Sequence, residues 1–400
     1  MSATAPRAPR RAYAWFVGGV GSWGLAAGMH QVLFAWLLVG ELHESPARVG
    51  AAQTAQTLPW LLLLLVAGVV ADRVDLRRLI LSLHAVAAVA ALTLALVVGS
   101  GRLSLLLLVG YALLWGTLQA FAGPSRDAMI SQVAGPNLLR AVTGATAAQF
   151  LASALGSRAA GIGSWLGYPQ TICLQALLLV AGLYPVSRLA PTTPHPGSET
   201  HAWGSIREGL AEVRRSERLL PVTLLVAADG FFFNGPFAVL VPLVVRDVYG
   251  GDLADLSVAM MLLPLGTIAG SLALLLRGGL QRKGRAFLLG LFGVSACLLA
   301  VSVRPPFWGF AAAIFAWGVG HSVFFNTSRT LFQEAASPSH RARVLSVYSL
   351  AFLGMFPPSN LAAGFLAGQL GPSAVFAIAG ASMVGITALA WLATPIRKLV

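Results

Sequence analysis

Four hundred residues, 57% of them hydrophobic and only 10% charged, supply about 228 apolar positions, against the ~45–50% apolar and ~25% charged make-up of a soluble domain. Disordered, collagen-like and disulfide-stapled classes are excluded at once. At ~20 apolar residues per bilayer crossing, the stock furnishes roughly eleven or twelve spans, so the net charge of +13 must be tested against membrane topology before nucleic acid is invoked.

The apolar runs fall near 13–39, 50–71, 78–99, 104–123, 139–164 and 170–189. After a long joint they resume near 219–245, 254–276, 286–303, 307–326, 342–366 and 372–394. The first run is too long for a signal-peptide core and lacks a cleavage site. Cys173 and Cys297 sit inside apolar runs without metal or redox spacing, which reads as packing. The long joint, 190–218, carries three prolines in its first seven residues and ends in a charged amphipathic stretch. It predicts a linker followed by a surface helix. The expected architecture is all-α and integral to the membrane: twelve transmembrane helices in two pseudo-symmetric six-helix bundles, 1–189 and 219–400, joined by 190–218.

Charge sets the expected orientation. With a cytoplasmic N-terminus, 22 of the 27 Lys and Arg fall on the inner side. Arg48, Arg102, Arg246 and Arg304 fall outside, and Arg158 lies within a span. That bias predicts a multi-pass cell-membrane protein with both termini cytoplasmic, and it accounts for the positive charge without nucleic acid. An internal repeat supports the six-plus-six division. Trp115-Gly116, Ser125-Arg126 and Pro136 recur as Trp317-Gly318, Ser328-Arg329 and Pro338, at an offset of 202 or 203. Parallel six-span halves are one arrangement of secondary transporters, with substrate near the midplane between them.

The loop after the second span reads Gly68-Val-Val-Ala-Asp72-Arg73-Val-Asp75-Leu-Arg77-Arg78. It resembles the loop signature of the major facilitator superfamily. Asp75 at the usual second-glycine position and the Gly-Pro-Ser-Arg-Asp run at 123–127 are similar to the branch of enterobactin exporters and macrolide efflux proteins. The resemblance implies that Gly68, Asp72, Arg73, Arg77 and Arg78 latch the cytoplasmic side and release during alternation. Physically, Gly68 permits close helix approach, Asp72 can accept hydrogen bonds at a helix end, and the arginines anchor the rim. A plain positive-inside anchor is the alternative. In the fifth span, Gly156-Ser157-Arg158-Ala-Ala-Gly161 departs from the Gly-Pro motif that the resemblance associates with antiport.

The resemblance also implies that spans 1, 4, 7 and 10 line a central cavity. Polar residues on these spans are the candidate site: His30, Gln31, Gln119, Asp229, Asn234 and His321. Ionisable groups at membrane depth cost roughly 2.5–3.5 kcal/mol on insertion scales and tend to be functional. Asp229 lies about 15 Å into its span, near the midplane, and Arg158 about 28 Å from the inner end of its own. Asp229, His30, His321 and Arg158 are therefore the proton-coupling candidates. Gln31, Gln119, Asn234, Trp23 and Trp36 are the candidates for the substrate cavity. For each, interhelical packing or hydrogen bonding is the competing reading. Pro357-Pro358, Gly235-Pro236 and Pro242 mark helices that bend.

The expected function is a secondary active transporter exporting a small amphipathic, drug-like or siderophore-like molecule by alternating access, with protons as coupling ion. Import or lysolipid flipping by the same fold is one alternative; a transport-inactive sensor or assembly subunit is another. Without paired carboxylates, nucleophile elbow, Walker or HExxH motifs, the chain is not expected to be an enzyme. It is expected to act as a monomer in the bilayer, without cofactor, metal or nucleic acid.

Overall fold

In the bilayer every backbone polar group must be satisfied within the segment, which leaves helices as the economical way for an apolar chain to cross. The computed structural model describes residues 10–135, 137–193, 202–277, 280–335 and 341–399, and they are helical, with no strand among them. The helices of the first half are α1 (Arg10–Trp36), α2 (Pro46–Arg73), α3 (Leu76–Gly99), α4 (Leu105–Val133), α5 (Leu138–Ala160) and α6 (Tyr168–Ser187). The connector contributes α7 (Ala202–Arg215). The second half holds α8 (Leu219–Gly235), α9 (Leu253–Leu276), α10 (Lys283–Ser302), α11 (Phe307–Ala335), α12 (Arg341–Leu353), α13 (Phe356–Leu370) and α14 (Pro372–Ala393). α12 and α13 form one crossing, and α1 begins at the same end at which α14 stops. We call this the terminal end.

Ten of these crossings are long and apolar enough to span a membrane, and α2, bent by 55°, makes an eleventh. The fifth expected span, α5, falls short because Thr143, Thr146, Gln149, Ser153, Ser157 and Arg158 dilute its apolar residues. It makes up the difference in protein contacts, packing against α1 on one side and α9 on the other.

The repeat has a structural reason. A Cβ on Gly116 would collide with the Gln56 carbonyl, so the missing side chain lets α4 lie directly on α2. Gly318 plays the same part in the second half, where α11 lies on the Leu263 carbonyl of α9. The adjoining Trp115 and Trp317 are each 1% exposed. Each half is thus built on one glycine crossing beside one buried indole.

Wide turns interrupt the first and seventh crossings. At the far end of α1 the Leu42 N–H reaches back five residues to the Leu37 carbonyl, and after α8 the Val241 N–H reaches the Pro236 carbonyl likewise. These wide turns occupy equivalent places in the two halves. The expected proline break sits between α12 and α13, at Gly354-Met355, with Pro357 in the first turn of the new helix.

The connector is anchored at both ends. Thr192 accepts the Leu76 N–H at 2.8 Å and donates its own N–H to Asp75 at 3.0 Å, which ties it to the start of α3. Asp75 caps α3 by also accepting the Arg77 N–H at 3.0 Å. Partial burial pushes the Asp75 carboxyl up, but the Thr192 and Arg77 amides, the Thr192 hydroxyl and the Arg78 amide outweigh it and hold the group below the usual carboxylate value. The amphipathic α7 packs against α8 and α12, burying Val213 fully.

Candidate functional site

In the second half, Asp229 on α8 is 1% exposed. Its Oδ2 lies 3.8 Å from Nε2 of His321 on α11, and its Oδ1 has no hydrogen-bond partner among the described residues. The imidazole sits among Phe324, Phe325 and Phe352, with ring centres at 5.7, 6.2 and 6.3 Å. Gly230, next to the acid, lies so close to the Phe352 carbonyl that no side chain would fit. The acid therefore stands beside the joint between α12 and α13. One turn further on, Ser359 accepts the Gly235 N–H at 2.7 Å and donates to the Phe231 carbonyl.

In the first half the expected candidates are drawn into an aromatic column. Trp23 donates its indole N–H to Oε1 of Gln119 at 2.8 Å and stacks on Trp115 at 5.8 Å. His30 stacks on the other side of the column, 4.1 Å from Trp115, with Nε2 3.2 Å from Oε1 of Gln56. Arg126 lies over Trp23, its guanidinium carbon 5.7 Å from the ring centre. Gln31 is half-buried and free of hydrogen bonds among the described residues.

The halves meet away from the terminal end. Gln53 donates to the Ala238 carbonyl at 3.0 Å, Thr54 to the Pro357 carbonyl at 3.1 Å, and Arg246 to the Val39 carbonyl at 2.6 Å. Asn234 donates to Asn360 at 3.0 Å, and Asn360 in turn to Thr57 at 3.4 Å, linking α8, α13 and α2. Gly50 and Gly364 face each other: a Cβ on Gly50 would stand 2.5 Å from the Asn360 carbonyl, and one on Gly364 2.5 Å from that of Pro46. On the opposite flank Gly161 abuts Ser257 and Gly163 abuts Leu253.

A family model described as Major Facilitator Superfamily matches residues 16–357. The chain belongs to the Major Facilitator Superfamily. It is 23% identical over 372 residues to the Staphyloferrin A transporter of Staphylococcus aureus (strain NCTC 8325 / PS 47), covering 89% of this chain and 90% of the relative. Among solved structures, it superposes on a variant of nucleoside transporter NupG with TM-score 0.75 at 12% identity, covering 94% of this chain and 98% of the other. A POT family transporter in complex with 5-aminolevulinic acid gives TM-score 0.73 at 12% identity, covering 97% and 96%. The fold and the transporter family are thereby established, and this superfamily member is not an enzyme.

Several expected residues stand otherwise than their spacing suggests. A Cβ on Gly68 would meet nothing within 4 Å, so this glycine serves no close helix approach in this conformation. Asp72 and Arg73 are exposed, Arg77 is half-buried, and Arg78 reaches Asp75 at 3.6 Å. The acid that organises this loop is Asp75. Trp23 and Trp36, expected as cavity walls, are 2% and 6% exposed. Trp36 is held by Tyr168, whose hydroxyl accepts its N–H at 3.0 Å. Arg158 stands at the rim, exposed in the last turn of α5, because the helix stops at Ala160 and the chain turns at Gly161. His30 is 2% exposed and already stacked and hydrogen-bonded, which is the packing alternative. Residues the sequence reading did not connect to the site are Gln56, Thr57, Asn360 and Tyr111, which packs 5.4 Å from His30, and Arg126, which entered as a rim charge, a repeat position and part of the 123–127 run. The one available signal was the break at Pro357-Pro358, which pointed to neighbouring Asn360 without naming its partners.

Proposed function

We propose that this chain is a proton-coupled secondary transporter of the cell membrane, with both termini cytoplasmic, that exports a small amphipathic molecule by alternating access. The carrying observation is the Asp229–His321 pair: a buried acid, one oxygen unpartnered, 3.8 Å from an imidazole, beside a helix joint. A fixed charge at that depth is costly, and a group that takes a proton on one side and releases it on the other relieves the cost. Closing 3.8 Å to hydrogen-bond distance needs only a small movement of α8 against α11, which the joint between α12 and α13 permits. The seal away from the terminal end supports a cytoplasm-facing state in which cargo enters beside this pair. The Staphyloferrin A transporter favours a siderophore-like cargo over a drug.

The test is Asp229→Asn in the purified, reconstituted full chain, read as substrate accumulation driven by an imposed pH gradient. Accumulation should vanish while passive exchange persists. Unchanged accumulation with unchanged pH dependence would remove Asp229 from the coupling step and pass the role to a sodium or substrate gradient.

A further inference from the structure

The first half contains a partly buried cation that forms no direct ion pair among the described residues. Arg126 is half-buried on α4; its Nε–H donates to the Ala122 carbonyl at 2.9 Å, its Nη1 is buried without a partner, and no carboxylate stands within 4 Å among the described residues. The acids of α1–α6 and their loops offer no remedy: Glu41, Asp72 and Asp127 are exposed, and Glu44 and Asp75 cap or brace helix ends. Asp127, next in sequence, attracts Arg126 through space, but it projects about 100° around the helix and makes no direct ion pair with it. The guanidinium is nevertheless held in place. It lies 5.7 Å from the Trp23 ring centre, and Trp23 is itself fixed by its 2.8 Å hydrogen bond to Gln119. A guanidinium over the face of a fixed ring, with its Nη1 unspent, is placed to meet a planar oxyanion, a group that arginine can bind with two parallel N–H···O contacts.

We propose that the cargo carries an anionic oxygen group, a carboxylate or a phosphate, that Arg126 receives against the face of Trp23. This deepens the transporter reading above and rests on it. The anion supplies the direct partner that Arg126 Nη1 lacks, as the proton would supply one for Asp229 in the second half. The cargo is then an amphipathic acid, and cationic amphiphiles are excluded from the site by Arg126.

The experiment measures binding of three probes to the full chain in zwitterionic lipid nanodiscs, with empty nanodiscs subtracted: 2-naphthoate, 2-naphthyl phosphate and neutral 2-naphthamide. The ring is constant, so only the polar group varies. Wild-type protein should bind at least one anion about tenfold or more tightly than the amide, the scale of a charge-assisted hydrogen bond. Arg126→Gln should erase the preference and leave amide binding as it was, whereas Arg126→Lys should keep part of it. A preference for the phosphate over the carboxylate also supports the proposal and names the group. Equal binding of all three probes by the wild type, no anion binding, or an undiminished preference in Arg126→Gln overturns it. The Asp229→Asn protein separates the two readings. Loss of proton-driven accumulation with an intact anion preference in that protein removes nothing from Arg126, and loss of the preference in Arg126→Gln leaves the coupling pair standing.

Discussion

Trp115 in α4 and Trp317 in α11 hold equivalent places, each buried beside a glycine that lets its helix lie on a neighbour's backbone. Around them the halves diverge. Trp115 stands in a column with Trp23 and His30, closed by hydrogen bonds to Gln119 and Gln56. Trp317 touches Phe233 and Phe237 edge-on, and the polar groups nearby are the loosely matched Asp229 and His321. In the first half Trp23 and His30 have hydrogen-bond partners, whereas His84 Nε2, the Tyr111 hydroxyl, Gln175 Nε2 and Arg126 Nη1 have none among the described residues; in the second half Asp229 Oδ1 and the Thr387 hydroxyl have none. Duplication kept the packing and released the chemistry, because a helix crossing fixes a backbone distance while leaving the next turn free to change.

The comparison is broken most directly by exchanging polar groups across it. Gln119→Ala should leave the pH dependence of accumulation by reconstituted protein as in wild type, whereas His321→Ala should cut pH-driven accumulation severely by removing the base 3.8 Å from Asp229. Equal losses would mean that the halves share the proton-handling task. Next come the indoles: Trp115→Ala and Trp317→Ala should each destabilise the purified protein by about 3–5 kcal/mol, the usual cost of emptying a buried Trp site. Their thermal unfolding should shift by similar amounts, and a large difference would mean that the repeat is not equivalent in packing. Gly364→Val probes the seam between the halves. The added atoms meet the Pro46 carbonyl and Gly50, so overpacking of about 1–3 kcal/mol should open the far face. A cysteine placed at Thr57, with Cys173 and Cys297 changed to Ser, should then react faster with an impermeant thiol reagent from that side.

The smallest expected effect contrasts two acids of one loop. Asp75→Ala should cost about 1 kcal/mol through loss of the α3 cap, whereas Asp72→Asn, on an exposed side chain, should stay within about 0.5 kcal/mol while slowing transport. The folded Asp75 carboxyl is held below its ordinary value of 3.8, so its contribution is fully present above that pH and is lost as pH falls through the folded value. The penalty of Asp75→Ala should therefore shrink in acid, and a penalty that grows would contradict the hydrogen bonds to Thr192 and Arg77.

What could be read without coordinates follows from where each signal is stored. Span number, the connector and the repeat are local, since apolar run length, proline clustering and a Trp-Gly pair need no partner to be recognised. The sequence reading counted α5 as a span, whereas its own composition leaves it outside the ten or eleven helices long and apolar enough to cross. Depth arithmetic brought out Asp229, because an acid inside an apolar run stands out whatever it touches. The misreadings all concern partners distant in sequence. Trp23 looked like a cavity wall because nothing nearby announces Gln119, 96 residues later. Asp72 overshadowed Asp75 because the cap closes on Thr192, 117 residues on. Arg158 looked deep because its apolar run continues past the point where the helix ends.

The seam between Gly50 and Gly364 has a consequence for ionic strength. It is built from glycines and carbonyl oxygens, and the nearby bonds from Gln53, Thr54 and Asn360 are between neutral groups. Mobile ions act on exposed charge pairs and barely touch contacts of this kind. This seam should therefore open and close at the same rate in fresh and salty surroundings. Any salt dependence of the cycle must then originate at the arginine-rich terminal end or at the charged Arg246, whose bond to the Val39 carbonyl crosses the same far face.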